Sequence, residues 1–111
     1  MLPKSFKIGT QVWSITERNP KEDFQLSDDT FGYTLERENL IIIDKSLVPS
    51  RKRQVLFHEI LHAIRFTFVK RPTFKKTDDF DSIEHFFIEL YEEPVLMLLK
   101  DNPELLQYLT S

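Results

Sequence analysis

The sequence has no cysteine, and this absence excludes disulfides, thiolate nucleophiles and zinc sites with cysteine ligands. A metal ion in this protein would have to be bound by histidine and carboxylate side chains. The sequence also lacks an apolar run long enough to cross a membrane, and its first residues contain no apolar signal core. We therefore expect a cytoplasmic protein that has no membrane partner.

Positive charge is not in excess, because 15 Lys and Arg residues stand against 18 Asp and Glu residues. The basic residues form no long stripe, so we expect no nucleic-acid partner. What the chain does contain is 41% hydrophobic residues, ten Phe among them, within 111 residues. This content suffices for one buried core, and we expect a single domain that spans residues 1–111.

The first half of the sequence has the alternation of apolar and polar residues that is typical of β-strands. Residues 6–16 predict one strand, rich in β-branched and aromatic side chains. Residues 30–35 and 39–44 predict two more, and the short charged stretch 36–38 between them indicates an antiparallel hairpin. The apolar run at residues 40–43 should be buried on both faces of the sheet.

The second half changes to the period of amphipathic helices. Residues 51–69, 83–100 and 104–109 predict three of them. The expected fold class is therefore α+β, with a three-stranded antiparallel sheet followed by three helices. The residues that indicate helix ends or breaks are Ser50 and Pro72 for the first helix, Asp81 or Ser82 and Pro94 for the second, and Pro103 for the third.

The first predicted helix carries the segment His-Glu-Ile-Leu-His at residues 58–62. A spacing of four residues places His58 and His62 one turn apart on one helix face, where both imidazoles can bind one zinc ion. Glu59 is turned about 100° around the helix axis, within reach of a zinc-bound water, and is the predicted general base. The alternative is a buried helix whose two histidines are satisfied by neighbouring core groups.

A catalytic zinc ion usually has three protein ligands, so one more is needed. Glu84 lies on the flank of the apolar face of the second predicted helix, and it is the predicted third ligand. His85 is the runner-up and Glu89 a further alternative. The competing interpretation of Glu84 is a boundary carboxylate that forms an ion pair with Arg65 or Lys70.

Arg65 follows His58 by two turns on nearly the same face of the first predicted helix. One interpretation is that its guanidinium orients a substrate carbonyl or a ligand carboxylate. The other is an ordinary ion pair with a neighbouring acid.

Residues 53–64, the strand pair before them and the later acidic helix resemble the ImmA/IrrE-type minimal metallopeptidases, and residues 99–105 resemble the closing segment of small phage-type members. The resemblance covers roughly residues 31–109. It implies a zincin-like domain in which a sheet edge lies beside the active-site helix. It also implies zinc ligands from the motif histidines and a downstream glutamate, with the motif glutamate as base. The corresponding residues here are His58, His62, Glu84 and Glu59.

The chain departs from longer members of that family in having no DNA-binding or sensor domain, and its third-ligand helix lacks their usual Glu-Ala-Asn surroundings. We expect a zinc metalloendopeptidase that hydrolyses a peptide bond in a protein or peptide substrate. The alternative is a catalytically inactive zincin-like protein-binding module, a phage or mobile-element regulator, whose metal site is structural or vestigial. A purely structural site has no need of Glu59 between its ligands, which favours the enzyme. The sequence makes no prediction of oligomeric state.

Overall fold

The computed structural model describes residues 2–68, 75 and 77–111. Within these ranges strands precede helices, which confirms the predicted α+β class. A single turn of 3-10 helix, Glu36–Glu38, joins the third strand to the fourth. The elements are β1 (Ser5–Ile8), β2 (Gln11–Arg18), β3 (Gly32–Leu35), β4 (Leu40–Asp44), α1 (Pro49–Phe68), α2 (Phe80–Asp101) and α3 (Pro103–Leu109).

The sheet has four strands rather than the three that were predicted, because the first predicted strand folds back on itself. Ile8 pairs with Gln11 across a two-residue turn, and β1 and β2 form an antiparallel hairpin. Gly9 occupies the first central position of this turn with φ 59. A positive φ at that position is what a type II′ hairpin turn requires, and glycine adopts it without steric cost.

The sheet is mixed rather than antiparallel, with the strand order β1-β2-β4-β3. β4 pairs parallel with β2 on one side and antiparallel with β3 on the other. Of the apolar run 40–43, Ile41, Ile42 and Ile43 are fully buried as predicted, whereas Leu40 at the start of the strand is only half-buried. A strand that is apolar on both faces takes an interior position in the sheet, so β3 is left as an edge strand.

The predicted hairpin of the third and fourth strands is confirmed. Asn39 completes the connection in the left-handed conformation, with φ 47, and its backbone N–H donates to the carbonyl of Glu36. Asparagine is one of the residues that tolerate this conformation. The register pairs Gly32 with Ile43 and Thr34 with Ile41, so these two β3 residues share the sheet face of the buried β4 side chains.

The three predicted helices are present, with differences at their first residues. α1 begins at Pro49, so the predicted cap Ser50 lies inside the helix. Proline is well suited to a first turn, since its missing N–H has no partner there in any helix. The predicted end at Val69, together with Lys70 and Pro72, lies outside the described residues.

α2 begins at Phe80, three residues earlier than predicted, because Asp79 is the N-cap instead of Asp81 or Ser82. The Asp79 carboxylate accepts a hydrogen bond from the backbone N–H of Ser82 at 2.8 Å. Pro94 lies within α2, which continues through it to Asp101. The third helix is confirmed, with Pro103 in its first turn.

One face of the sheet packs against α1, and the main core lies between them. Trp13 is 1% exposed, and its indole N–H donates to the Thr67 hydroxyl at 3.2 Å, which connects β2 to the last turns of α1. In the described part of the chain, no helix is both long and apolar enough to cross a membrane. The side chains of the main core are Phe6, Ile8, Trp13, Ile15, Ile41, Ile43, Val55, Leu56, Ile60, Ala63, Ile64, Leu98 and Leu105.

Candidate metal centre

A cleft of about 630 Å³ lies between the β3 edge of the sheet and α1. Residues 29–34 form one wall, and a stripe of α1 that includes His58, Glu59, His62 and Arg65 forms the other. Positions three and four residues apart lie on one face of a helix, so the helical period of α1 brings all four side chains to the same side. The cleft therefore collects the polar residues that the sequence pattern singled out on α1.

The two histidines converge on one point at the surface of the cleft. His58 Nε2 and His62 Nε2 lie 3.3 Å apart, and the ring planes meet at 70°. Two nitrogens that are each about 2.0–2.1 Å from a zinc ion, at the tetrahedral angle, lie about 3.3 Å apart. The separation also permits an N–H···N hydrogen bond, whereas zinc binding needs both nitrogens unprotonated. The pair fits two positions of a tetrahedral zinc site.

Both histidines are exposed, and the side chain of His58 is 67% accessible. The alternative that they are satisfied core histidines is therefore wrong. α1 does bury much of its surface, but the buried residues lie on the faces that contact the sheet and the other helices. The face that carries the imidazoles opens to the cleft.

Glu59 contrasts with the histidines, because its side chain is only 8% exposed. One carboxylate oxygen, Oε1, accepts a hydrogen bond from the Thr34 hydroxyl at 2.8 Å. The other, Oε2, lies 3.8 Å from His58 Nε2, which is too long for a hydrogen bond. Oε2 is thus held next to the histidine pair and is able to accept a proton.

Thr34 is a site residue that the sequence interpretation missed. It lies on β3, and its hydroxyl bridges the edge strand to the buried carboxylate of Glu59. The signal was present in the strand alternation. Once Thr34 is paired with Ile41, a polar side chain falls on the sheet face that otherwise carries core residues, and such a side chain needs a polar partner.

Glu84, the predicted third ligand, is exposed on α2, and its side chain makes no hydrogen bond or ion pair with any residue that the structure describes. His85 lies 3.5 Å from the carboxylate of Asp81, and Glu89 is exposed. Among the described residues, the only group of three or more potential ligand side chains whose ligand atoms lie within 4.8 Å of one another is His58, Glu59 and His62. Neither Glu84 nor its alternatives belongs to it.

Arg65 faces the cleft, one turn beyond His62. Its guanidinium carbon lies 4.5 Å from the centroid of the Phe66 ring. In the described part of the chain it forms no ion pair, so the predicted pairing with Glu84 is not observed. The alternative pairing of Glu84 with Lys70 lies outside the described residues.

A hydrogen-bonded cluster anchors the segment between β2 and β3. The Tyr33 hydroxyl donates to Asp23 Oδ2 at 2.5 Å, and Arg18 lies 3.4 Å from the same oxygen. The Tyr33 hydrogen bond is the main cause that lowers the pKa of Asp23, helped by the backbone N–H of Gln25 and by Arg18. Burial raises the pKa of Tyr33, and the hydrogen bond to Asp23 raises it further. This cluster fixes Tyr33 on β3, next to Thr34.

No protein-family model, curated protein or solved structure gives a significant match to this chain. The resemblance to the ImmA/IrrE-type metallopeptidases gains no support from these comparisons and stays a prediction. What the protein does must therefore be inferred from its own residues.

Proposed function

We propose that this protein is a zinc-dependent endopeptidase whose active site lies in the cleft between β3 and α1. One observation carries the proposal. Two imidazole nitrogens 3.3 Å apart, as in a tetrahedral zinc site, lie beside a buried carboxylate on the same helix. A structural zinc site needs only metal ligands, whereas hydrolysis also needs a base beside the metal.

His58 and His62 would hold the ion through their Nε2 atoms. A zinc ion supplies Lewis acidity, which activates water and polarises a carbonyl. Glu59 accepts a proton from the attacking water at Oε2 and delivers it to the leaving amine. Thr34 holds the opposite oxygen, Oε1, so that the carboxylate keeps one orientation during this transfer.

The β3 edge supplies a place for the substrate backbone. The Asp44 N–H donates to the Phe31 carbonyl at 2.9 Å, so Phe31 and Asp44 form a hydrogen-bonded pair. In an antiparallel ladder such pairs alternate with open ones, and the N–H and C=O groups of Gly32 and Thr34 therefore point away from β4. An extended peptide can add to this edge as a further strand, and its backbone would then run past His58.

Glu84 remains the proposed third ligand, by analogy with the ImmA/IrrE-type enzymes that the sequence resembles. The second candidate function is a binding protein with a vestigial site. It is favoured by the finding that, among described residues, no acid other than Glu59 lies within 4.8 Å of the histidine pair. The two functions differ in what Glu59 is for, and this difference can be measured.

Replacing Glu59 by Gln should abolish peptide cleavage and leave zinc binding intact, because the amide keeps the size of the side chain and cannot take a proton. We expect kcat to fall by about a hundredfold or more, the usual contribution of a general base. The measurement is cleavage of an unstructured protein such as casein, alongside zinc content by elemental analysis.

Glu38→Gln is the matched control, since it removes the same charge from an exposed position in the turn between β3 and β4. It should leave both cleavage and zinc content unchanged. If the wild-type protein binds zinc and cleaves no peptide in a broad peptide library, the binding-protein function replaces the enzyme.

A further inference from the structure

Arg65 has features that an ordinary surface arginine lacks. It is half-buried at the wall of the cleft, and it makes no ion pair with any residue in the described ranges. Two other cations, both outside the cleft, have acidic partners, since Lys52 lies 2.7 Å from Glu17 and Arg18 contacts Asp23, whereas most remaining Lys and Arg side chains of the described residues, like Arg65, make no ion pair. Acids outnumber bases in the sequence, so a lack of acids does not account for the absence of a partner.

The guanidinium is held in a defined orientation by Phe66. Its carbon lies 4.5 Å from the ring centroid, and Phe66 itself stacks on His62 with an interplanar angle of 23°. A guanidinium that lies over a ring face keeps its N–H groups at the periphery, where they can bind both oxygens of a carboxylate. Half-burial also strengthens such a pair relative to one in water.

Arg51 also lines this cleft, at the other end of the same stripe of α1, and unlike Arg65 it has a hydrogen-bond partner. It is exposed, and its guanidinium donates to Gln54 Oε1 at 2.7 Å. Arg65 instead donates no side-chain hydrogen bond to any residue that the structure describes. Its guanidinium thus offers donors at the wall of the cleft, and the described residues provide no anion that pairs with them.

We propose that Arg65 binds a carboxylate of the substrate and makes the cleft selective for peptides with an acidic group close to the cleaved bond. This proposal rests on the proposed function of the same cleft. Residues one turn apart on a helix have Cβ atoms about 5–6 Å apart, and an extended peptide advances about 3.3 Å per residue. The acidic group should therefore lie within about two residues of the bond next to His62.

The carboxylate could belong to an Asp or Glu side chain or to the carboxyl terminus of the substrate, and both offer the same two oxygens. Fluorescent, amino-terminally blocked peptides with a neutral background separate the two sources. One series carries Glu or Gln at successive positions and ends in an amide. A second series has no internal acid and ends in either a carboxylate or an amide.

Binding is measured by fluorescence anisotropy with zinc-loaded Glu59→Gln protein, and cleavage is measured with the Glu59 protein. At the best position Glu should bind roughly tenfold to a hundredfold more tightly than Gln, the range that a charge-assisted pair supplies. Arg65→Gln should bring this ratio close to one. Arg65→Lys keeps the charge without the planar fork, so part of the preference should remain. A preference confined to the second series would identify the terminal carboxylate as the source.

Arg53→Gln is the matched control, since it removes one positive charge from α1 at a position outside the cleft. It should leave the ratio unchanged. The proposal is overturned if the wild-type protein does not distinguish Glu from Gln at any position and ignores the terminal carboxylate. It is also overturned if Arg53→Gln lowers the ratio as much as Arg65→Gln does. If acidic peptides bind through Arg65 but none is cleaved, the anion site stands and the peptidase function fails.

Discussion

The two edges of the sheet differ in whether their outward backbone N–H and C=O groups have partners. At the β1 edge, the side chain of Asn102 pairs with the backbone of Lys7 as a neighbouring strand would. Its Oδ1 accepts from the Lys7 N–H at 2.7 Å, and its Nδ2 donates to the Lys7 carbonyl at 2.8 Å. At the β3 edge, the N–H and C=O groups of Gly32 and Thr34 point outward into the cleft.

Open edges are a liability, because unpaired backbone groups invite pairing with other chains. The β1 edge is closed by a residue between α2 and α3, which also donates to the carbonyl of Leu98 at 2.8 Å. The β3 edge is open where it runs beside His58, Glu59 and His62. Under the proposed function the open edge is where the substrate backbone binds, and the contrast between the two edges can be tested from both sides.

Removing the histidines should have the largest effect, because it removes the proposed zinc ligands beside the open edge while the fold is kept. We expect His58→Ala and His62→Ala each to weaken zinc binding by at least about a hundredfold, because each removes a direct ligand. Both residues are exposed, so thermal unfolding of the metal-free variants should match that of the wild type. Isothermal titration with zinc measures the affinity.

The same titration tests the third ligand. Glu84→Gln should weaken zinc binding about as much as His62→Ala if its carboxylate completes the site, and Glu92→Gln, which removes the same charge from another exposed position of α2, provides the control. Unchanged affinity in Glu84→Gln would remove Glu84 from the ligand set. Unchanged affinity in both histidine variants would contradict the metal site itself.

Breaking the closed edge should cost stability and leave the cleft intact. Asn102→Leu removes three hydrogen bonds and leaves the N–H and C=O of Lys7 without partners. We expect the free energy of unfolding to fall by about 2–4 kcal/mol. Urea unfolding followed by the fluorescence of the single, buried Trp13 measures this change. Zinc affinity should stay at the wild-type value.

Asn102→Asp is the close structural control for this effect. It keeps the acceptor for the Lys7 N–H, but its carboxylate faces the carbonyl oxygens of Lys7 and Leu98 with no proton to donate. We expect it to be destabilising at neutral pH and less so once the acid is protonated. A wild-type stability in both variants would mean that the β1 edge is not held by this side chain.

The α+β class, the hairpin of β3 and β4 and the histidine pair were predictable, because each depends on local pattern. The split of the first strand was missed since a single glycine, Gly9, decided it within an otherwise continuous alternation. The parallel pairing of β2 with β4 could not be read from the sequence, as it depends on which strand fills the interior position. That choice made β3 an edge, and the cleft follows from it.

The site residues also differ in whether local sequence pattern could predict them. His58, Glu59 and His62 were found through their spacing on one helix. Thr34 comes from a strand 25 residues away in sequence from Glu59, and only the register of β3 brings the two together. The helical face of Glu84 was assigned from an apolar arc, but the first turns of α2 carry no fully buried residue before Leu90, so this arc does not determine what Glu84 faces.

Replacing either of the two glycines by alanine should again distinguish the β3 edge from the β1 edge, with a smaller effect than the substitutions above. A Cβ at Gly32 would lie 2.8 Å from Val55 Cγ1 and 2.9 Å from the Ile42 carbonyl oxygen, so Gly32→Ala must push β3 away from α1. We expect a loss of about 1–3 kcal/mol in the free energy of unfolding together with reduced peptide cleavage. Cleavage assays and urea unfolding on the same preparations measure the two effects.

Gly9→Ala is the control from the β1–β2 turn. It should cost about 1–2 kcal/mol through its positive φ, since its Cβ meets only ordinary contacts with Phe68. Cleavage by the folded protein should not change. Equal loss of cleavage in both variants would show that the catalytic effect reports general stability instead of the position of β3.

The smallest effect should come from the cluster that anchors Tyr33, and it should depend on pH. The pKa of Asp23 is lowered in the folded protein, mainly by the Tyr33 hydroxyl, from its ordinary value of 3.8. Its contribution to stability is therefore complete above that value and is lost as the pH falls through the folded-state pKa. Asp23→Asn should be less stable than the wild type at neutral pH, and the difference should shrink on acidification.

The pKa of Tyr33 is raised above 10.0, so its contribution is complete below pH 10 and is lost as the pH rises through the folded-state value. Tyr33→Phe should therefore remove the alkaline dependence and reduce the acid dependence, of which Gln25 and Arg18 sustain the remainder. Urea midpoints across the pH range, read from Trp13 fluorescence, measure it. If Tyr33→Phe keeps the acid dependence of the wild type, the hydrogen bond to Asp23 does not anchor the open edge, and the strand is positioned by its contacts with α1 alone.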